Sequence, residues 1–154
     1  MATTVSMREL VDEMEVSTEG FHIFVNRQTG EVYSGNDDSL EAAESDEDED
    51  ALPEWQRETV VKLKEVLASS DWIEVPRRSG PEDYGLLEQF SLERCTGRVQ
   101  EELLATIRGR GAFGRFKDVA ERRGVLDHWF EFRRAAIADD LAGWLVANGI
   151  AYQP

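Results

Sequence analysis

The chain contains one cysteine, two histidines, three lysines and four prolines among 154 residues. Each scarcity closes a class. Cys95 alone cannot form an intramolecular disulfide, so a small disulfide-held scaffold is excluded. His22 and His128, with that one thiol, are too few for a closed zinc site, and neither has a nucleophile beside it in sequence. No metal or cofactor is therefore expected. Long apolar runs are missing too: residues 141–150, the most apolar stretch, cover about half a bilayer span. Residues 1–10 lack a basic start and an apolar core, so no signal peptide is expected and a cytoplasmic location follows by default.

What is abundant is negative charge. Thirty-two acids against seventeen bases give −15, a balance that repels nucleic acid and anionic membranes unless the charge is segregated. It is segregated. Residues 37–50 hold nine acids and no base, without which −15 becomes −6, whereas residues 94–134 hold ten bases and six acids. Arginine outnumbers lysine fourteen to three, a bias spread over the whole chain.

The pattern predicts an α+β fold. Ser6 followed by Glu9 is a capping box opening a helix through Met7, Leu10 or Val11, and Met14. Phe21-His22-Ile23-Phe24-Val25-Asn26 alternates as a strand, Arg27-Gln28-Thr29-Gly30 supplies a turn, and residues 31–34 return as a hairpin. Residues 36–51 have so little apolar content that a flexible acidic loop within a single domain, 1–154, is expected. Pro53 opens a helix with Val60, Leu63, Val66 and Leu67 on one face. Residues 72–75 form a third short strand ended by Pro76. Pro81 opens a helix carrying Tyr84, Leu87 and Phe90, and the rest is helical. Thr96 caps a helix with Val99, Leu103, Leu104 and Ile107, and a shorter one holds Phe113, Phe116, and Val119 or Ala120. The last starts near Asp127 and runs through Trp129, Phe130, Ile137, Leu141, Trp144 and Leu145 to Gly149, with Trp144 expected to be buried. The architecture is thus an N-terminal β-hairpin plus a third strand, packed with a C-terminal multi-helix region.

Three motifs bear on chemistry. Gly109-Arg110-Gly111-Ala112-Phe113-Gly114 matches G-x-G-x-x-G, but helical periodicity precedes it where a dinucleotide site needs a buried strand. Asp46-Glu47-Asp48-Glu49-Asp50 starts like a calcium loop, yet Ala51 replaces the required glycine and Arg57 the bidentate glutamate. Arg108, Arg110, Arg115 and Lys117 surround the glycine turn with Phe113 and Phe116 interleaved, so guanidinium and backbone N–H groups could hold a phosphate. The plainer reading makes the phenylalanines core and the bases a solvated face.

Several elements together resemble a widespread bacterial family of unassigned function. They are Ile73-x-Val75-Pro76, Phe90, Gly109-Arg110-Gly111-Ala112-Phe113-x-x-Phe116-Lys117-Asp118, Trp129-Phe130-x-Phe132-Arg133, Trp144-Leu145 and Gly149-Ile150, with Thr29-Gly30-Glu31-Val32 in the hairpin. The resemblance implies the architecture and no reaction. Gly114 and the acidic stretch depart from it. The expected function is a non-catalytic macromolecular-interaction or regulatory protein, with a protein partner favoured over nucleic acid and no membrane. One alternative is a nucleic-acid or phosphate-binding module using Arg108, Arg110, Arg115 and Lys117; another is a carboxylate-based acid/base enzyme.

Overall fold

The computed structural model describes residues 4–16, 20–76 and 80–154. The expected α+β class holds, and the chain divides into two compact units. Unit 1 comprises residues 1–77 and 140–154, and unit 2 comprises residues 78–139.

In unit 1, β1 (Val5–Ser6) leads into α1 (Met7–Val16), whose Glu9 amide donates to Ser6 Oγ at 3.3 Å as the capping box requires. Strands β2 (Phe21–Asn26) and β3 (Val32–Asn36) form the hairpin, and β4 (Trp72–Glu74) pairs with the free side of β2, so all three run antiparallel in the order β3-β2-β4. The turn is set by Asn26, whose Oδ1 accepts from the amides of Gln28 (2.8 Å) and Thr29 (3.0 Å). Gly30 closes it at φ +77°, packed against the backbone of Thr4. At the far end of the chain, β5 (Tyr152–Gln153) pairs in parallel with β1. Two-residue strands carry no periodicity, so this pairing had no sequence signal.

One sheet face bears His22, Phe24, Tyr33 and Trp72 by register. Phe24, with Tyr33 and Trp72 at its margin, packs against Leu40, Ala42, Ala43, Leu52, Val60, Leu63 and Val66. Those residues come from α2 (Asp37–Glu44), a 3-10 turn (Glu49–Ala51) with its following residue, and α3 (Glu54–Ala68). The flexible loop expected over 36–51 is therefore incorrect. Asn36 caps α2 by accepting from the Ser39 amide at 2.8 Å, and Asp37 and Asp38 complement the helix N-terminus. Leu40, Ala42 and Ala43 supply enough burial to fix it. Residues 45–50 are held by α3: Lys64 Nζ reaches the Glu47 carbonyl (2.8 Å), Asp46 (3.2 Å) and Glu49 (3.4 Å), and Arg57 donates to the carbonyls of Leu52 (3.0 Å) and Asp50 (3.2 Å).

Unit 2 contains α4 (Gly80–Arg94), α5 (Gly97–Thr106), α6 (Ala112–Arg122) and the first part of α7 (Leu126–Ala147). Its core is aromatic. Trp129, 1% exposed, sits edge-on to Phe90 (5.6 Å between centroids) and Phe116 (5.2 Å) and stacks on Phe132 (6.4 Å), with Leu87 and Leu103 filling the remainder. Two aromatic expectations are corrected here. Phe130 is 46% exposed and Phe113 37%, because Trp129 and Phe116 occupy the inward positions of α7 and α6. A third correction falls on the unit 1 part of α7. Leu141 and Leu145 are buried there, continuing the stripe from Ile137, while Trp144 lies at its edge, half-buried. The helix ends where the Gly149 and Ile150 amides donate to Val146 and Leu145.

Candidate interaction surfaces

The four bases singled out from sequence are differently engaged. Arg115, on the first turn of α6, folds back over the α5–α6 connection. Its Nη1 donates to the Arg110 carbonyl (2.6 Å), and its Nη2 to the carbonyls of Thr106 (3.2 Å) and Arg108. These carbonyls lie where α5 ends and Gly109 and Gly111 turn the chain at positive φ, and that of Thr106 also accepts from the Arg108 amide at 2.9 Å. Arg115 is thus a clasp with both Nη groups turned onto backbone. Lys117, two residues on, lies about 200° around the helix from it. Arg108 and Arg110 are exposed on the turn. The glycine motif accordingly joins two helices, with Gly114 inside α6.

A basic concavity does form one face away, where Glu102, Ala105, Val119, Arg122 and Arg123 line about 440 Å³ between α5 and α6. Arg123 grips the Glu102 carboxylate with both arms, Nε at 2.7 Å and Nη2 closer. Those hydrogen bonds, opposed by some burial and aided by the charges of Arg123, Arg98 and Arg122, hold Glu102 below the ordinary carboxylate range. The signal was available in sequence as Glu102 and the Arg122-Arg123 pair, but nothing indicated that α5 and α6 would bring them together.

The sign of the resulting pH dependence is fixed. A folded carboxyl held low contributes stability above its unfolded value and loses it as pH falls through the folded value. Glu102→Gln is expected to narrow the fall in melting temperature below about pH 4.5, the ordinary value for this group, relative to the native chain. Superimposable acid limbs in thermal melts would show the bridge to be energetically idle.

His22 has partners at both ring nitrogens: Nε2 lies 2.5 Å from Asp37 Oδ1 and Nδ1 lies 2.7 Å from Glu74 Oε1. The cluster ties β2 to the start of α2 and to β4, and occupies each nitrogen that acid–base chemistry would turn toward a substrate. Cys95 is in the unit 2 core, where burial pushes its thiol up and away from the reactive thiolate. Among the described residues no group of three or more His, Cys, Asp or Glu is placed to hold a metal ion.

The charge is divided between the units. Unit 1 carries 21 acids and 6 bases, hence the whole −15, while unit 2 carries 11 of each. On α3 every cation is engaged internally. Besides Arg57 and Lys64, Lys62 pairs with Glu31 at 3.1 Å and lies over the rings of Trp72 (5.1 Å) and Tyr33 (5.9 Å). The Asp46 and Glu49 carboxylates hold the Lys64 ammonium above its ordinary value, although burial opposes them. Facing solvent are Glu41, Glu44, Asp48, Glu54, Glu58 and Glu65, and on the first turn of α3, between Glu54 and Glu58 in sequence, so is Trp55, 74% exposed.

Unit 2 has a groove of its own. An open groove of about 530 Å³ runs between α4 and α7, with Phe90, Val125, Phe132 and Ala136 as its floor and the exposed Ala135 between Glu131 and Asp139 at its edge. Glu93, Glu131, Asp139, His128 and Gln89 form the rim, and the Arg94 guanidinium lies 5.6 Å from the Phe132 centroid. No described helix is long and apolar enough to cross a membrane. No family model, curated protein or solved structure matches the chain, so these surfaces are read from their own geometry.

Proposed function

We propose that the chain is a non-catalytic protein-binding module that engages an arginine- and lysine-rich partner through the α2–α3 face of unit 1. The observation that carries this reading is the pairing of an exposed tryptophan with a surface whose own cations are consumed internally. A large aromatic left in water costs solvation and aggregation resistance, and tryptophan is enriched at the centres of protein interfaces. With Glu54 beside it and Glu58 one turn on in α3, Trp55 offers a ring face to a guanidinium that the neighbouring acids attract. The same field disfavours nucleic acid, whose phosphates would meet net negative charge.

The test is titration of the full chain with a fluorescein-labelled arginine-rich peptide. Trp55→Ala is expected to weaken binding about five- to tenfold, the worth of one cation–π contact. Glu54→Lys with Glu58→Lys should weaken it further and flatten its salt dependence. If Trp55→Ala binds as the native chain does, the attraction is diffuse charge alone and this reading fails.

A further inference from the structure

We infer that the α4–α7 groove of unit 2 is a second, independent docking site, and that it takes one amphipathic helix bearing two cations about two turns apart. The floor is apolar and aromatic, and Ala135 and Ala136 place small side chains where a second helix axis would cross, allowing close approach. The rim supplies the charge. Glu131 and Asp139 make no hydrogen bond or ion pair among the described residues. They stand eight residues apart on α7, about 12 Å along its axis. Glu93, on the opposite wall, accepts among the described residues only from Gln89 at 3.2 Å.

Three carboxylates therefore face one guanidinium, that of Arg94, which is already stacked on Phe132. A helix laid in this groove with lysine or arginine at positions i and i+7 meets both unpaired acids. Its apolar residues at i+3 and i+4 meet Phe132, Ala135 and Ala136 between them. An acidic or uncharged helix would bury or abut the same carboxylates without compensation. The recognition is thus one of spacing as well as sign, which separates it from the diffuse field of unit 1.

The experiment measures anisotropy of a labelled alanine–leucine helix of about 18 residues, carrying lysines at i and i+7, with the full chain. A twin peptide carries glutamates at those positions. The lysine peptide is expected to bind at least about tenfold tighter than its twin. Glu131→Lys with Asp139→Lys should invert that order, and Ala135→Trp should block both peptides by standing between the two acids where the helix would lie. Trp55→Ala, and Glu54→Lys with Glu58→Lys, should leave lysine-peptide binding within about twofold, the scale of a distant and independent change. Equal binding of the two peptides to the native chain, or no inversion by the reversed rim, overturns the inference. So does loss of binding through the unit 1 variants, which would return the peptide to the α2–α3 face. Full displacement by free arginine would assign the groove to a small cation instead of a helix. The native fold of each variant is checked by near-ultraviolet circular dichroism.

Discussion

Trp129→Ala is expected to destabilise unit 2 by about 3–5 kcal/mol, the range for removing a large aromatic from a packed core. The residue is 1% exposed and sits among Phe90, Phe116 and Phe132, so its loss opens a void bounded by three rings. Rings on three different helices cannot all follow a collapsing cavity without repacking α4, α6 and α7 together, so most of the void should persist. Trp144→Ala is the contrast. Its ring at the edge of the α7 stripe is partly exposed, so only its covered area is lost, worth about 2–3 kcal/mol. Urea unfolding of both variants, followed by amide cross-peaks assigned to each unit, checks the pair. Equal losses would show that the inward face of α7 is centred on Trp144.

The contrast marks how far the sequence could be read. Helices were legible where apolar residues recur at three and four positions, and the hairpin where an Asn-containing strand end runs into Gly30. The phase of α7 was not legible. Aromatics at Trp129, Phe130, Phe132 and Trp144 spread over an arc of about 160°, wider than one buried stripe, so periodicity alone leaves the centre of its inward face open. Helix α2 was missed for the opposite reason. Its acids dominate the composition, while the three small apolar side chains that anchor it are few in number and adequate in place. Charge counts the residues of a segment; burial depends on which of them face a partner surface.

The candidate surfaces show the same division. Arg108, Arg110, Arg115 and Lys117 were visible as a cluster because they are neighbours in sequence, yet Arg115 is consumed by carbonyls whose exposure only the α5 ending reveals. The pairing of Glu102 with Arg123 spans 21 residues, and Lys64 reaches 17 residues back to Glu47. Long-range closure of this kind leaves no local spacing to detect. The exposure of Trp55 was also invisible, since an aromatic beside Pro53 and Leu52 reads equally well as core.

Gly30→Ala should produce the second large effect, centred on unit 1. Two costs coincide at this position. The backbone is at φ +77°, where a Cβ costs about 1–2 kcal/mol against the following carbonyl. The Cβ would also stand 2.5 Å from the Thr4 carbonyl oxygen and 2.8 Å from its carbon. These are backbone atoms one residue before β1, whose pairing with β5 resists their displacement. Relieving such an overlap costs about a further 1–3 kcal/mol. The two terms separate experimentally through Gly109→Ala, also at positive φ (+63°) but with no heavy atom within 4 Å of its added Cβ. Gly109→Ala should lose only the conformational part, about 1–2 kcal/mol, and Gly30→Ala about 2–5 kcal/mol in all. Gly30→Ala should also expose the Val5 amide, which donates to the Ala151 carbonyl at 3.0 Å, to faster hydrogen exchange. Equal destabilisation by the two substitutions, with Val5 protection unchanged, would show that Thr4 yields freely and that the turn does not brace the β1–β5 pair.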